Sequence, residues 1–241
     1  MFWQPFTASL IACAVTTAGI LAISRFPEWS RRRSVYLMSF AAGILISVSF
    51  LHLVPKAFRM NALSPGALLA GFFGLYLVNR IIRMNFCDEC GEGPSMQGVT
   101  PIIGIALHSF VDGLIYAVTF RVDLLTGVLA AAGMVLHEFP EGVISFGILN
   151  RAGFSVRKSA FYAFLAAGLS TPLGVAAGYP FISLIDPSDM GLALGVSAGA
   201  LIYAGAVHLL PAIEKENKRY AFLMLAAGIL TAMVIKAIKA G

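Results

Sequence analysis

LLTGVLAAAGMVLHEFPEGVISFG, residues 124–147, is apolar along nearly its whole length, yet it holds His137, Glu138, Pro140 and Glu141 near its middle. A hydrocarbon core of about 30 Å is crossed by about 20 helical residues, so the stretch is long enough to span a membrane. Ionisable side chains at that depth are costly, and a helix that keeps them generally uses them. The reading is therefore a spanning helix with chemistry at its centre.

The rest of the chain agrees. Of its 241 residues, 59% are hydrophobic and only 12% are charged, far from the averages of soluble domains. Apolar runs predict eight helices, at about 5–24, 35–55, 65–82, 101–120, 124–147, 159–181, 190–211 and 220–238. Residues 1–241 then make one transmembrane domain of the all-α class, since no connection is long enough for a soluble unit. The longest, 83–99, carries CDECGEGP and is expected to be an irregular cytoplasmic loop.

Charge sets the orientation. With the N-terminus outside, Arg25, Arg31, Arg32, Arg33, Arg80, Arg83, Arg151, Arg157, Lys158, Lys215, Lys218 and Arg219 fall on one side. Only Lys56, Arg59, Arg121, Lys236 and Lys239 fall on the other. The excess marks the cytoplasmic side, so both termini are expected to be extracytoplasmic. The run from Pro5 to Ser24 has no basic residue before it and the triple arginine after it, which suits a first spanning helix better than a signal peptide. The net charge of +5 is spread through helix flanks and gives no nucleic-acid footprint. The three cysteines make no disulfide framework.

Two pairs of helices repeat. AAGILISVSFLHLVP (41–55) and SAGALIYAGAVHLLP (197–211) each place a glycine (Gly43, Gly199) nine residues before a histidine (His52, His208) and a proline three residues after it. GIALHSFVDG (104–113) likewise parallels GMVLHEFPEG (133–142). In the assigned topology the members of each pair run in opposite directions, the mark of an inverted repeat, which in transporters puts the substrate near the midplane.

On a helix, positions i and i+4 share a face, so His108 stacks with Asp112 and His137 with Glu141. Each pair is a two-point metal clamp. If the two helices face each other, two imidazoles and two carboxylates suit tetrahedral or slightly expanded Zn²⁺, and a divalent ion neutralises both acids. Gly113 and Gly142 are expected to let these two backbones approach closely, and Pro140 to free the carbonyl of Leu136. His52 and His208 fit entry and exit stations flanking the centre. Cys87 and Cys90 form half a zinc site in the 83–99 loop, a candidate for receiving or sensing metal. Gly174, Gly178, Gly191, Gly195 and Gly199 read as stripes for close helix packing.

These motifs resemble the ZIP (Zrt- and Irt-like protein) divalent-metal transporters over essentially the whole chain. The resemblance rests on the HLxP ends of helices 2 and 7 and on HSFVDG and HEFPEG in helices 4 and 5. It implies a 3+2+3 inverted-repeat arrangement and a primary site of His108, Asp112, His137 and Glu141. It also implies a second metal bridged by Asp112 and Glu141 and helped by Glu138 and Ser109. Ser109 stands where binuclear members often have asparagine, and Thr171 where some supply glutamate, so one transported metal is the expectation. The long histidine-rich loop of eukaryotic members is absent, with CDEC in its place.

The rival reading is an intramembrane zinc metallohydrolase, because His137-Glu138 begins an HExxH motif. Its second histidine is replaced by Glu141, and a protease has no need of the copied clamp. The expectation is a transporter and not an enzyme. Its substrate is zinc, or iron, manganese, cobalt or cadmium, moved into the cytoplasm by alternating access, and it needs no catalytic cofactor. Lipid is its surroundings, a bacterial inner membrane the expected location and a homodimer an option left open.

Overall fold

The computed structural model describes residues 2–87, 96–214 and 220–240, all as helices joined by short connections. The long helices are α1 (Trp3–Arg25), α2 (Pro27–Met60), α3 (Ser64–Cys87), α4 (Met96–Val122), α5 (Leu124–Arg151) and α6 (Val156–Ile182). After them come α7 (Met190–Leu209), which continues to Glu214, and α8 (Ala221–Ala240). Among the described residues six helices are long and apolar enough to cross a membrane: α1, α2, Pro101–Val122 of α4, α5, α6 and α7. The chain is an all-helical, multi-pass integral membrane protein.

Local chemistry sets the helix ends. Pro27 sits in the first turn of α2, where its missing N–H costs nothing, and Glu28 in that turn pairs with Arg31 at 2.9 Å. The helix therefore takes in Arg31, Arg32 and Arg33, which a count of apolar residues alone leaves in a loop. Asp123 separates α4 from α5 and caps the latter, its carboxylate accepting from the Thr126 amide at 3.0 Å. At the far end of α5, Gly153 takes φ of +88°. There the Phe154 amide reaches Leu149 O and the Gly153 amide reaches Asn150 O, both at 3.2 Å, the hydrogen bonds of a Schellman stop. The helix ending at Cys87 and the one beginning at Met96 leave a shorter connection than 83–99. Cys90 and most of CDEC lie outside the described residues.

Three helices widen into π turns: Ser49–Leu53 in α2, Phe164–Leu169 in α6 and Ala204–Leu209 in α7. Each is followed within three residues by a proline, Pro55, Pro172 or Pro211, whose ring displaces an i−4 carbonyl. His52 and His208 both occupy the last-but-one position of their π turn. Pro140, by contrast, is carried within an α5 that stays helical on both sides of it.

Packing is dominated by glycine contacts so close that an added Cβ would strike backbone. A Cβ added at Gly43 would lie 2.4 Å from Leu225 O of α8, and one added at Gly199 would lie 2.1 Å from Leu68 O of α3. These two glycines head the repeated HLxP helices, so the duplication extends from sequence into packing. The stripe on α7 continues through Gly191 and Gly195, which meet Asn61 and Ser64. Gly113 and Gly142 act differently from the expectation that they bring α4 and α5 together. A Cβ added at Gly113 would lie 2.2 Å from Thr171 O of α6, and one added at Gly142 would lie 2.3 Å from Thr16 O of α1. The reason is angular: one residue past Asp112 or Glu141 is about 100° further round the helix, so when the acids face the partner helix the glycines face sideways.

Candidate metal site

Asp123 turns the chain so that α4 and α5 form a hairpin. The acid–histidine faces of the two helices meet within it. His137 Nε2 lies 3.2 Å from Asp112 Oδ2, His108 Nε2 lies 3.7 Å from the same oxygen, and Glu141 Oε2 lies 3.7 Å from His137 Nε2. His108, Asp112, His137 and Glu141 each offer one donor atom, all within 4.8 Å of one another. They are the one such group of three or more among the described residues. A tetrahedral ion with bonds of about 2.0–2.1 Å needs its donors about 3.3–3.4 Å apart; three pairs here stand at 3.2, 3.7 and 3.7 Å, and all four donors lie within 4.8 Å.

The cluster is largely buried and incompletely satisfied. Asp112, His137 and Glu141 are buried, and His108 is partly so. His137 Nδ1 and Glu141 Oε2 are buried without a hydrogen-bond partner. Buried polar atoms are normally paired, so the orphaned Glu141 oxygen, which faces His137 Nε2 within the cluster, points to a bound species that completes it. The exposed ring of His208 lies 5.6 Å from that of His108.

The remaining sequence-predicted residues sort around this centre. Ser109 donates to Glu141 Oε1 at 2.9 Å, so it fixes the carboxylate. Glu138, fully buried, lies outside the four-donor group. Its Oε2 accepts from Thr16 of α1 at 2.5 Å, and its Oε1 accepts from Thr171 of α6 at 3.4 Å. These are the threonines whose carbonyls lie against Gly142 and Gly113. His208 approaches the cluster, whereas His52 is at the hairpin's tip, its Nε2 3.1 Å from Thr126 Oγ1. Of Cys87 and Cys90, the latter falls outside the described residues.

Two features escaped the sequence reading. Thr16 sits in an apolar run, and only its partner, 122 positions away, gives it meaning. Lys56 pairs with Asp123 and lies 3.2 Å from Thr126 Oγ1, joining α2 to the hairpin tip beside His52. Burial pushes the Asp123 carboxyl upward, but hydrogen bonds from Lys56 and from the Thr126 amide and hydroxyl outweigh it and hold the group at about 2.

The comparisons fit this geometry. The ZIP Zinc transporter family matches residues 88–236, well over half of the chain and the whole of the α4–α5 hairpin beyond Asp88. The chain belongs to the ZIP zinc transporter family. Among its relatives, Zinc transporter ZupT of Chlorobium chlorochromatii is 26% identical over 97% of this chain and 95% of its own length. Zinc transporter ZIP13 of Pongo abelii is 31% identical over 80% of this chain, which spans 64% of that protein. ZupT of Escherichia fergusonii is 26% identical over 88% of this chain and 87% of its own. ZIP proteins are transporters and not enzymes, so the hydrolase reading of His137-Glu138 falls. The geometry gives the same answer from below, because Glu138 is engaged by Thr16 and Thr171 instead of facing the four donors.

Proposed function

We propose that this protein carries divalent transition-metal ions, zinc foremost, across a membrane into the cytoplasm by alternating access. His108, Asp112, His137 and Glu141 hold the ion in transit. The observation that carries the reading is the convergence of those four donors, three of them buried and His108 partly so, from the two copies of one motif in the middle of apolar helices. Two imidazoles and two carboxylates leave a divalent ion nearly neutral, which is what a low-dielectric passage requires. One ion is held, since Glu138 is committed to threonines and Ser109 to Glu141.

In this reading eight helices span the membrane as a 3+2+3 inverted repeat with both termini extracytoplasmic. The matched Gly43–α8 and Gly199–α3 contacts and the matched π turns of His52 and His208 support it. Metal enters past His52 at the hairpin tip and leaves past His208. The ZupT relatives are bacterial proteins, which favours a bacterial inner membrane; a homodimer is compatible with the many exposed apolar side chains on α3 and α8. The same donors accept Fe²⁺, Mn²⁺, Co²⁺ and Cd²⁺, and affinity order alone does not select among them.

Zinc uptake by protein reconstituted in liposomes tests the assignment. His137→Ala and Glu141→Ala are each expected to abolish uptake while the protein still inserts. Normal uptake by both refutes the site, and competition by the other four ions in the same assay sets the selectivity.

A further inference from the structure

We propose that Tyr116 is a further residue of the metal pathway, forming the outer wall of the four-donor site and offering its hydroxyl to the water that the incoming ion carries. The proposal rests on the transport reading above and adds a residue to it. Tyr116 follows His108 and Asp112 at the same four-residue step on α4, so the three share one helix face. Helical side chains lean toward the helix N-terminus, which inclines the Tyr116 ring back toward Asp112.

Two observations separate this tyrosine from an ordinary core aromatic. It is fully buried, 0% exposed, the largest of the fully buried side chains. Its hydroxyl nevertheless has no hydrogen-bond partner. Among the described residues the other orphaned buried side-chain atoms are Ser30 Oγ, His137 Nδ1 and Glu141 Oε2, and two of these three belong to the donor cluster. Tyrosine hydroxyls that are buried generally find a partner, and phenylalanine fills the same space without the cost of an unpaired polar group.

Position assigns the partner. Tyr116 lies one helical turn beyond Asp112 toward Asp123, about 6 Å along α4. It stands between the cluster and the His52, Lys56, Asp123 and Thr126 group at the hairpin tip. Met134 of α5 and Leu45 of α2, both fully buried, belong to the same apolar cluster as Tyr116. An ion descending from the tip sheds its water along this stretch, and among the described residues the phenol is the buried hydroxyl there that has no partner within the protein. It receives the last bound water as the histidines and carboxylates take over the ion.

Tyr116→Phe tests this, with zinc as the probe. One neutral hydrogen bond corresponds to about a fivefold change, so the KM for zinc uptake in liposomes is expected to rise about fivefold with little change in maximal rate. Cadmium, which is softer and more weakly hydrated, is expected to be less affected. Without metal, the variant is expected to melt no lower than the wild type, because an unpaired buried hydroxyl has been removed. With saturating zinc, the wild type is expected to gain more in melting temperature than the variant. An unchanged KM, or a variant that melts lower without metal and gains as much from zinc, overturns the proposal and leaves Tyr116 a packing residue. His137→Ala in the same assay keeps the two readings apart: if it transports normally, the site assignment itself has failed.

Discussion

His137 Nε2 and Asp112 Oδ2 lie 3.2 Å apart across the α4–α5 hairpin, joining one copy of the duplicated clamp to the other. The same oxygen lies 3.7 Å from His108 Nε2, so a single carboxylate serves both imidazoles. Asp112 is therefore the keystone of the cluster, and the two i,i+4 pairs do not act as independent halves.

Asp112→Asn keeps the shape of that side chain and removes its charge, leaving a divalent ion facing only Glu141. Changing a residue that merely orients a metal ligand costs about 10- to 100-fold in affinity, so loss of a direct donor is expected to weaken zinc binding by about 100-fold or more. Calorimetric titration of detergent-solubilised protein checks this. An affinity close to wild type means that Asp112 is not a ligand.

Thr16→Val is nearly isosteric and removes the shorter of the two hydroxyl contacts to Glu138. Leaving a buried carboxylate short of a donor costs about 1–3 kcal/mol, so the metal-free melting temperature is expected to fall by several degrees. Thr171→Val, which removes a contact of 3.4 Å, is expected to fall by less. Equal drops, or none, remove the threonine bracket from the account.

The broad fold and the convergence of His108, Asp112, His137 and Glu141 are legible in the sequence because both rest on local periodicity. Twenty-residue apolar runs give helices, and a four-residue step puts His and acid on one face. What sequence did not yield depends on direction around a helix or on contacts between distant segments. Gly113 and Gly142 adjoin the motif, but the 100° step turns them to α6 and α1. Thr16 and Lys56 acquire their roles only from Glu138 and Asp123, far away in sequence. Glu138, which the resemblance gives as a helper of a second metal, is one 100° step round the helix from His137, and its contacts to Thr16 and Thr171 are likewise long-range.

Glycine substitutions separate packing from propensity. Alanine is favoured over glycine within a helix by about 1 kcal/mol, so Gly147→Ala, with nothing within 4 Å of the new Cβ, is expected to stabilise. Gly142→Ala on the same helix would place its Cβ 2.3 Å from Thr16 O. It is expected to lower the melting temperature and to reduce zinc uptake, because α1 and its Thr16 must move away. Similar effects of the two substitutions on thermal unfolding refute the close α1–α5 contact.

Asp123 gives a prediction in pH. Its carboxyl is held at about 2 in the folded protein, below the ordinary value of about 3.9. A depressed acid contributes stability that is fully present above the ordinary value and is lost as pH falls through the folded one. Asp123→Asn preserves an N-cap but removes the partner of Lys56. Because both side chains are partly exposed, the substitution is expected to cost only about 0.5 kcal/mol at neutral pH, and less in high salt. The gap between wild type and variant should stay constant down to about pH 5 and close between about pH 4 and pH 2. Thermal unfolding in detergent across that range measures it. A gap that closes near neutral pH instead points to a histidine, and His52, 3.1 Å from Thr126 Oγ1 in the same network, is then the group to replace.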